Sequence, residues 1–182
     1  MSIVIVAITP KYAVAMSDGR VIKNQMVIDE NFKKIHKLNP YIGIGFTGHM
    51  AFLRDIFFEF EEVDKELRVD QFFQMIYEIS KNLMDKNQYF GDSNIVVFGV
   101  DSCNKMKSIG FSTKDFIIYE EDGTKTGLSL QVLNNHPNAF EITKQNIRKN
   151  KNLVRGMEET IHYISTVDES VNNIIFVEKI SL

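Results

Sequence analysis

Cysteine is nearly absent: Cys103 is the one thiol in 182 residues. That excludes an intrachain disulfide framework and a zinc site built from several cysteines. Proline occurs three times, as Pro10, Pro40 and Pro137, and no stretch has the composition of an interdomain linker. An excess of basic charge is missing too. The 24 acidic and 21 basic side chains leave a net charge of −3, so no global positive field exists to hold nucleic acid or an anionic membrane. The N-terminal apolar run stops at Pro10 and Lys11. It falls far short of the ~20 residues a membrane helix needs and lacks the basic flank and small-residue cleavage pattern of a secretory signal. No low-complexity tract or internal repeat occurs. Gly43, Gly45 and Gly48 sit in and just after a strand pattern rather than in a phosphate loop with its Lys-Ser/Thr. His36, His49, His136 and His162 share no metal-ligand spacing. The expectation is a single domain over residues 1–182, cytoplasmic, with no metal and no cofactor.

What is there is an ordinary globular balance, 44% hydrophobic with 25% charged residues, enough to close one substantial core. The β-branched run Ile3, Val4, Ile5, Val6 and Ile8 predicts a buried strand over 3–8, paired through a Thr9-Pro10-Lys11 turn with a second over 12–17. Asp18-Gly19 reads as a turn, followed by a short extended stretch and strands over 32–38 and 41–47. Apolar residues at Leu53, Ile56, Phe57 and Phe60 predict a helix over about 49–63, and Phe72, Ile76, Ile79 and Leu83 a second over 69–86. Strands follow over 94–100, 106–111, 116–120 and 128–133, with Asp122-Gly123 as turn material. A helical region over 138–166 is expected to break at 149–152, and a strand over 173–180 closes the chain. Grouped rather than alternating elements argue against a doubly wound parallel sheet. An α+β, four-layer αββα sandwich of two stacked antiparallel sheets buries all these faces.

That order, with a strand at the very N-terminus, resembles the proteasome-type branch of the N-terminal-nucleophile hydrolases, and four short motifs carry the resemblance. Ser2-Ile3-Val4 opens the first strand, Ser17-Asp18-Gly19-Arg20 closes the second, Phe32-Lys33-Lys34-Ile35 is similar to the family's KK(I/V) segment, and the stretch from Tyr41 to Gly48 and His49 resembles the strand and glycine turn before the first outer helix. From Ser2 the intervals to Asp18, Lys34 and Gly48 are 16, 32 and 46 residues. They match the family pattern without a gap, spacing that a folded site has to preserve.

The resemblance implies a threonine/serine-type N-terminal-nucleophile peptidase or amidase. Ser2 would be its nucleophile, and the Ser2 α-amino group its base once Met1 is removed. Lys34 would supply a cation, Asp18 would hold that cation, and the Gly48 N–H would serve the oxyanion. It further implies a substrate pocket of Val21, Phe32, His36, Phe46 and Met50, a peptide or small amide substrate, a homo-oligomeric ring or stacked assembly, and a separate ATPase partner. His49 would face the cleft beside Gly48.

Two departures stand out. The family's Ser-Gly-Ser segment is replaced by Val132-Leu133-Asn134-Asn135-His136-Pro137, where an asparagine would have to make the hydrogen bond. The family's late aspartate has a counterpart in Asp168, but with a shortened gap to Ser170. Plainer readings stay open: Ser2 as an ordinary N-terminal residue, Asp18 as a turn aspartate, Lys34 as a solvated strand lysine. A chain that keeps Met1 has an amide where the base should be. It would be a catalytically silent structural or binding subunit of the same fold.

Overall fold

Buried on both faces, the N-terminal strand needs a layer above and a layer below. In the computed structural model, which describes residues 2–58, 63–87, 91–134 and 136–182, β1 (Val4–Ile8) pairs antiparallel with β2 (Tyr12–Asp18), Val4 opposite Ser17. Thr9 closes the turn between them, its hydroxyl accepting from the Tyr12 N–H at 3.1 Å. The chain continues through β3 (Val21–Lys23), β4 (Met26–Asp29), β5 (Ile35–Lys37), β6 (Ile42–Thr47), α1 (Met50–Phe58) and α2 (Val69–Asn87). Strands β7 (Asn94–Val100), β8 (Met106–Ser112) and β9 (Ile118–Asp122) lead to a one-turn α3 (Gly123–Thr126) and β10 (Ser129–Leu133). Helices α4 (Ala139–Asn150) and α5 (Leu153–Val167) precede β11 (Ile175–Ser181).

Two large antiparallel sheets form, one in the order β10-β1-β2-β11 and one in the order β5-β6-β7-β8-β9, beside the two-stranded β3-β4. The two-residue period of a strand explains how both faces of β1 are used. Val4, Val6 and Ile8 point between the sheets toward Val96 and Phe98, while Ile3, Ile5 and Ala7 point outward to Met157, Ile161 and Ile164 of α5. In β6 the same alternation is written as Ile-Gly-Ile-Gly-Phe. Ile42, Ile44 and Phe46 face Phe52, Phe72 and Ile76 of α1 and α2, and the two glycines face the other sheet. There the Phe98 ring fills the space over Gly43, and a Cβ at Gly43 would lie 2.3 Å from it. Helix pair, sheet, sheet, helix pair: this is the αββα sandwich that the element order predicts.

The local differences have local causes. The extended stretch after Gly19 is a hairpin of its own, β3–β4, turning through Asn24 and Gln25 at φ 51° and 64°. A two-residue hairpin turn of this kind has positive φ at both central residues, and without a glycine it left little trace in the sequence. The strand expected over 32–38 shrinks to Ile35–Lys37. Asp122-Gly123 is not a hairpin turn but the start of α3, because the Asp122 carboxylate caps the Thr124 N–H at 2.8 Å. Phe60 of the first expected helical face lies outside the described residues. In α2, Phe72 and Ile76 are buried, whereas Ile79 and Leu83 are only half-buried. The break between α4 and α5 falls where expected: Lys151 turns left-handed at φ 50°, and the Asn152 side chain caps α5 by accepting from the Arg155 N–H.

Gly43→Ala is expected to destabilise the chain by about 1–3 kcal/mol, because the added methyl must displace the packed Phe98 ring. Urea unfolding measures this. An unchanged midpoint would contradict the packing of the Phe98 ring over β6.

Candidate active site

At the end of β2 a carboxylate is folded into the core. Asp18 is 0% exposed, and the Lys34 Nζ, itself in a 2% exposed residue, donates to its Oδ1 at 2.6 Å. A charge buried this deeply needs a partner and further hydrogen bonds, and Asp18 has them. Oδ1 also accepts from the Ile3 N–H at 2.9 Å, and Oδ2 accepts from the Arg20 N–H at 2.9 Å. Lys34 lies just before β5 and is no solvated strand lysine. Burial pushes its pKa below the ordinary lysine value, Asp18 opposes that by attraction and hydrogen bonding, and the Arg20 charge adds to the lowering.

The same aspartate fixes the start of the chain. The peptide joining Ser2 to Ile3 is held at both ends. Its N–H donates to Asp18, and its carbonyl accepts from the Asn134 side-chain amide at 2.8 Å. Asn134 stands in the segment that replaces Ser-Gly-Ser, and it bonds to the Ser2 backbone rather than to a side chain. Ser2 is thereby set on the wall of a cavity of about 480 Å³, together with Lys34, Gly48, Val21, Phe46 and Met50. Residues separated by up to 48 positions thus meet because β1 and β5 begin, and β2 and β6 end, on the same side of the sandwich.

Gly48 makes the turn from β6 into α1 at φ +117°. A Cβ there would lie 2.4 Å from the Asp92 carbonyl oxygen and 2.5 Å from the Ser93 Cα, so both conformation and space require glycine. The next N–H, of His49, donates to Ser93 Oγ at 2.9 Å. Ser93 in turn is locked to Thr113 by a pair of hydrogen bonds, of 2.9 Å from its own N–H and 2.8 Å to its carbonyl. His49 lines the Ser2 cavity, on the cleft side expected for it.

Phe32 and His36 line a second cavity of about 810 Å³, which shares Phe46 and Met50 with the first. His36 stacks on the Phe46 ring, centroids 5.9 Å apart, and its Nε2 lies 3.0 Å from the Lys33 carbonyl oxygen. Burial is the largest influence on His36 and holds its pKa below the usual histidine value. Asp168 stands apart from both cavities. It ends α5, and its Oδ1 accepts from the backbone N–H and the hydroxyl of Ser170. Ser93 and Asn134 act on this site from 44 and 132 positions away along the chain from their bonding partners. Asn134 had a signal, as a departure from the family pattern; Ser93 had none. Among the described residues no cluster of metal-ligating side chains occurs, and no helix is long and apolar enough to cross a membrane.

Removing one member of the buried pair leaves the other uncompensated. Lys34→Met is therefore expected to cost about 3–5 kcal/mol of unfolding free energy, with the double variant Asp18→Asn/Lys34→Met costing less than that. Chemical denaturation of the three proteins checks the order. A near-neutral Lys34→Met would contradict the burial of the pair.

The sequence pattern of the family described as "Proteasome subunit" matches residues 3–106, more than half of the chain. None of the curated proteins compared matches significantly in sequence. Solved structures match along the whole fold. Eukaryotic HslV from Trypanosoma brucei is 10% identical, with a TM-score of 0.69 and 99% of each chain covered. Anbu (ancestral beta-subunit) from Yersinia bercovieri is 12% identical at a TM-score of 0.74, covering 98% of this chain and 81% of that one. Anbu from Pseudomonas aeruginosa, solved as a helical assembly, is 10% identical at a TM-score of 0.76, with the same coverage. Identities this low speak for the fold alone. With the family pattern running through β1, β2, β5 and β6, the strands that carry the buried ion pair and the glycine turn, the chain belongs to the proteasome subunit family.

Proposed function

We propose that the chain is an N-terminal-nucleophile hydrolase of the proteasome type that cleaves peptide or amide bonds through Ser2, after Met1 has been removed. The observation that carries this reading is the convergence of Ser2, the Lys34 ammonium and the Gly48 turn on one cavity, with the Ser2–Ile3 peptide held by Asp18 and Asn134. A serine hydroxyl needs a base to become nucleophilic. The Ser2 α-amine, with an ordinary pKa of about 7.7–8.0, has a substantial neutral fraction near neutrality. It takes the proton from Oγ as Oγ attacks the substrate carbonyl carbon. The oxyanion that forms accepts from the Gly48 N–H, a contribution commonly worth ~3 kcal/mol. Collapse expels the leaving amine, which takes the proton from the α-ammonium. Water, deprotonated by the same amine, then hydrolyses the ester on Ser2.

Lys34 serves this cycle as a fixed positive charge near Oγ, and Asp18 keeps it charged and aimed. Val21, Phe46 and Met50, with Phe32 and His36 in the adjoining cavity, offer an apolar wall to a substrate side chain. Assembly into a homo-oligomeric ring or stack belongs to the same reading, and the helical assembly of the Pseudomonas aeruginosa Anbu supports it. A separate ATPase would be the partner that delivers substrate. Asp168 is proposed as a support of the α5–β11 loop rather than as a group in contact with substrate. The second reading, a silent subunit of the same fold, is favoured by the asparagine that replaces Ser-Gly-Ser.

An electrophilic peptide probe is expected to label Ser2, with labelling abolished in Ser2→Ala and reduced at least a hundredfold in Lys34→Ala. Undiminished labelling of Ser2→Ala would move the chemistry elsewhere. The pH profile of labelling should be bell-shaped. Its rising limb follows loss of the α-ammonium proton. Its falling limb follows discharge of Lys34 and lies below the ordinary lysine value of 10.5 because burial lowers that pKa. A profile still rising through pH 10.5 would contradict the role of Lys34.

A further inference from the structure

Behind the ion pair, away from the cavity, a polar cluster closes on the turn that carries Asp18. Asn172, in the loop between α5 and β11, is 5% exposed and uses both ends of its amide. Its Oδ1 accepts from the Gly19 N–H at 2.9 Å, and its Nδ2 donates to the Glu30 carbonyl at 2.8 Å and to Glu30 Oε2 at 2.6 Å. The Arg20 Nε donates to the same Oε2 at 3.0 Å, and its Nη1 donates to the Glu169 carbonyl. Gly19 sits under this cluster with no room for a side chain, since a Cβ would lie 2.5 Å from the Glu30 carbonyl oxygen.

We propose that Asn172 and Glu30 are positioning residues for the Asp18–Lys34 ion pair, clamping the Gly19–Arg20 turn so that the Arg20 N–H holds the Asp18 carboxylate in register with Lys34 and the Ile3 N–H. The proposal rests on the reading of that pair as part of the Ser2 site, but its geometry stands whether or not the chain hydrolyses a substrate. The Asp18 carboxylate has three donors, and only the Arg20 N–H comes from the turn itself. The turn is held in place from outside, by a side chain 153 positions away from Gly19. Glu30 does a second thing. Its carboxylate pairs with the Arg20 guanidinium, a cation whose charge acts against the Lys34 ammonium. Neutralising that cation protects the charge on Lys34. The other charged and titratable groups that line the cavity with Lys34 are Lys23, His49, Asp92 and, on the proposed reading, the Ser2 α-amine. Lys33 is taken up by Glu178 of β11.

The test titrates Lys34 directly by NMR in the full chain with side-chain ¹³C-labelled lysine, its resonance assigned by its loss in Lys34→Arg. In Asn172→Ala the Asp18 carboxylate loosens, and in Glu30→Gln the Arg20 charge stands unopposed. Each change is expected to lower the Lys34 midpoint by about one pH unit. Glu30→Asp, which keeps the charge, should restore most of the shift. Glu159→Gln, which removes an ion pair on α5 remote from the turn, should leave the midpoint in place. A Lys34 midpoint unchanged in folded Asn172→Ala and Glu30→Gln overturns the proposal, and should Asn172→Ala fail to fold, the isosteric Glu30→Gln decides alone. A wild-type chain that takes no electrophilic probe counts against the Ser2 reading and leaves this titration as the judge of the clamp.

Discussion

A lysine and an aspartate removed from water between β2 and β5 govern the arrangement of everything around them. Two charges at 2.6 Å in the interior are costly to bury and offer little net stability compared with apolar side chains of the same volume. What such a pair does supply is geometry. Asp18 Oδ1 receives the Lys34 ammonium and the Ile3 N–H at once, so the cation and the start of the chain are fixed relative to one another by a single oxygen atom. A hydrophobic pair would hold the sheets together as well but would leave the Ile3 N–H without its acceptor and the start of the chain held by Asn134 alone.

The four layers can be seen as the means of holding that oxygen still. Strands β1 and β2 are apolar on both faces because one face meets α4 and α5 and the other meets the second sheet. Gly45 lets β6 lie against Val4 of the first sheet, while Gly43 makes room for the Phe98 ring of the neighbouring strand β7. The close approach brings the end of β6, and with it Gly48, to the side where β1 begins. A substrate carbonyl placed near Ser2 would then meet backbone donors at the entrance to α1, where the helix dipole also favours negative charge.

Much of this was legible from residue order, and for physical reasons. The doubly buried strand, the two amphipathic helix faces and the break at Lys151 each follow from a period or a helix-stopping segment, which are local properties. The intervals from Ser2 to Asp18, Lys34 and Gly48 were legible because they are counts along contiguous strands and turns. Contacts made by side chains far apart in sequence were not. Ser93 caps the Gly48 turn from the start of β7, and Asn172 reaches Gly19 from the loop before the last strand. Neither residue stands in a motif, and only the folded sheets bring them to their partners. The β3–β4 hairpin was missed because Asn24-Gln25 makes its turn without the glycine that usually marks one.

The proposed base is the amine that Ser2 gains on removal of Met1, so the account turns on the chemical state of Ser2. Intact-mass and N-terminal peptide mass spectrometry of the chain from its native cell, before and after exposure to an electrophilic peptide probe, reads that state and the reactivity together. The account predicts a chain that begins at Ser2 and gains one probe mass on that residue. A chain that retains Met1 throughout and gains no mass would contradict it.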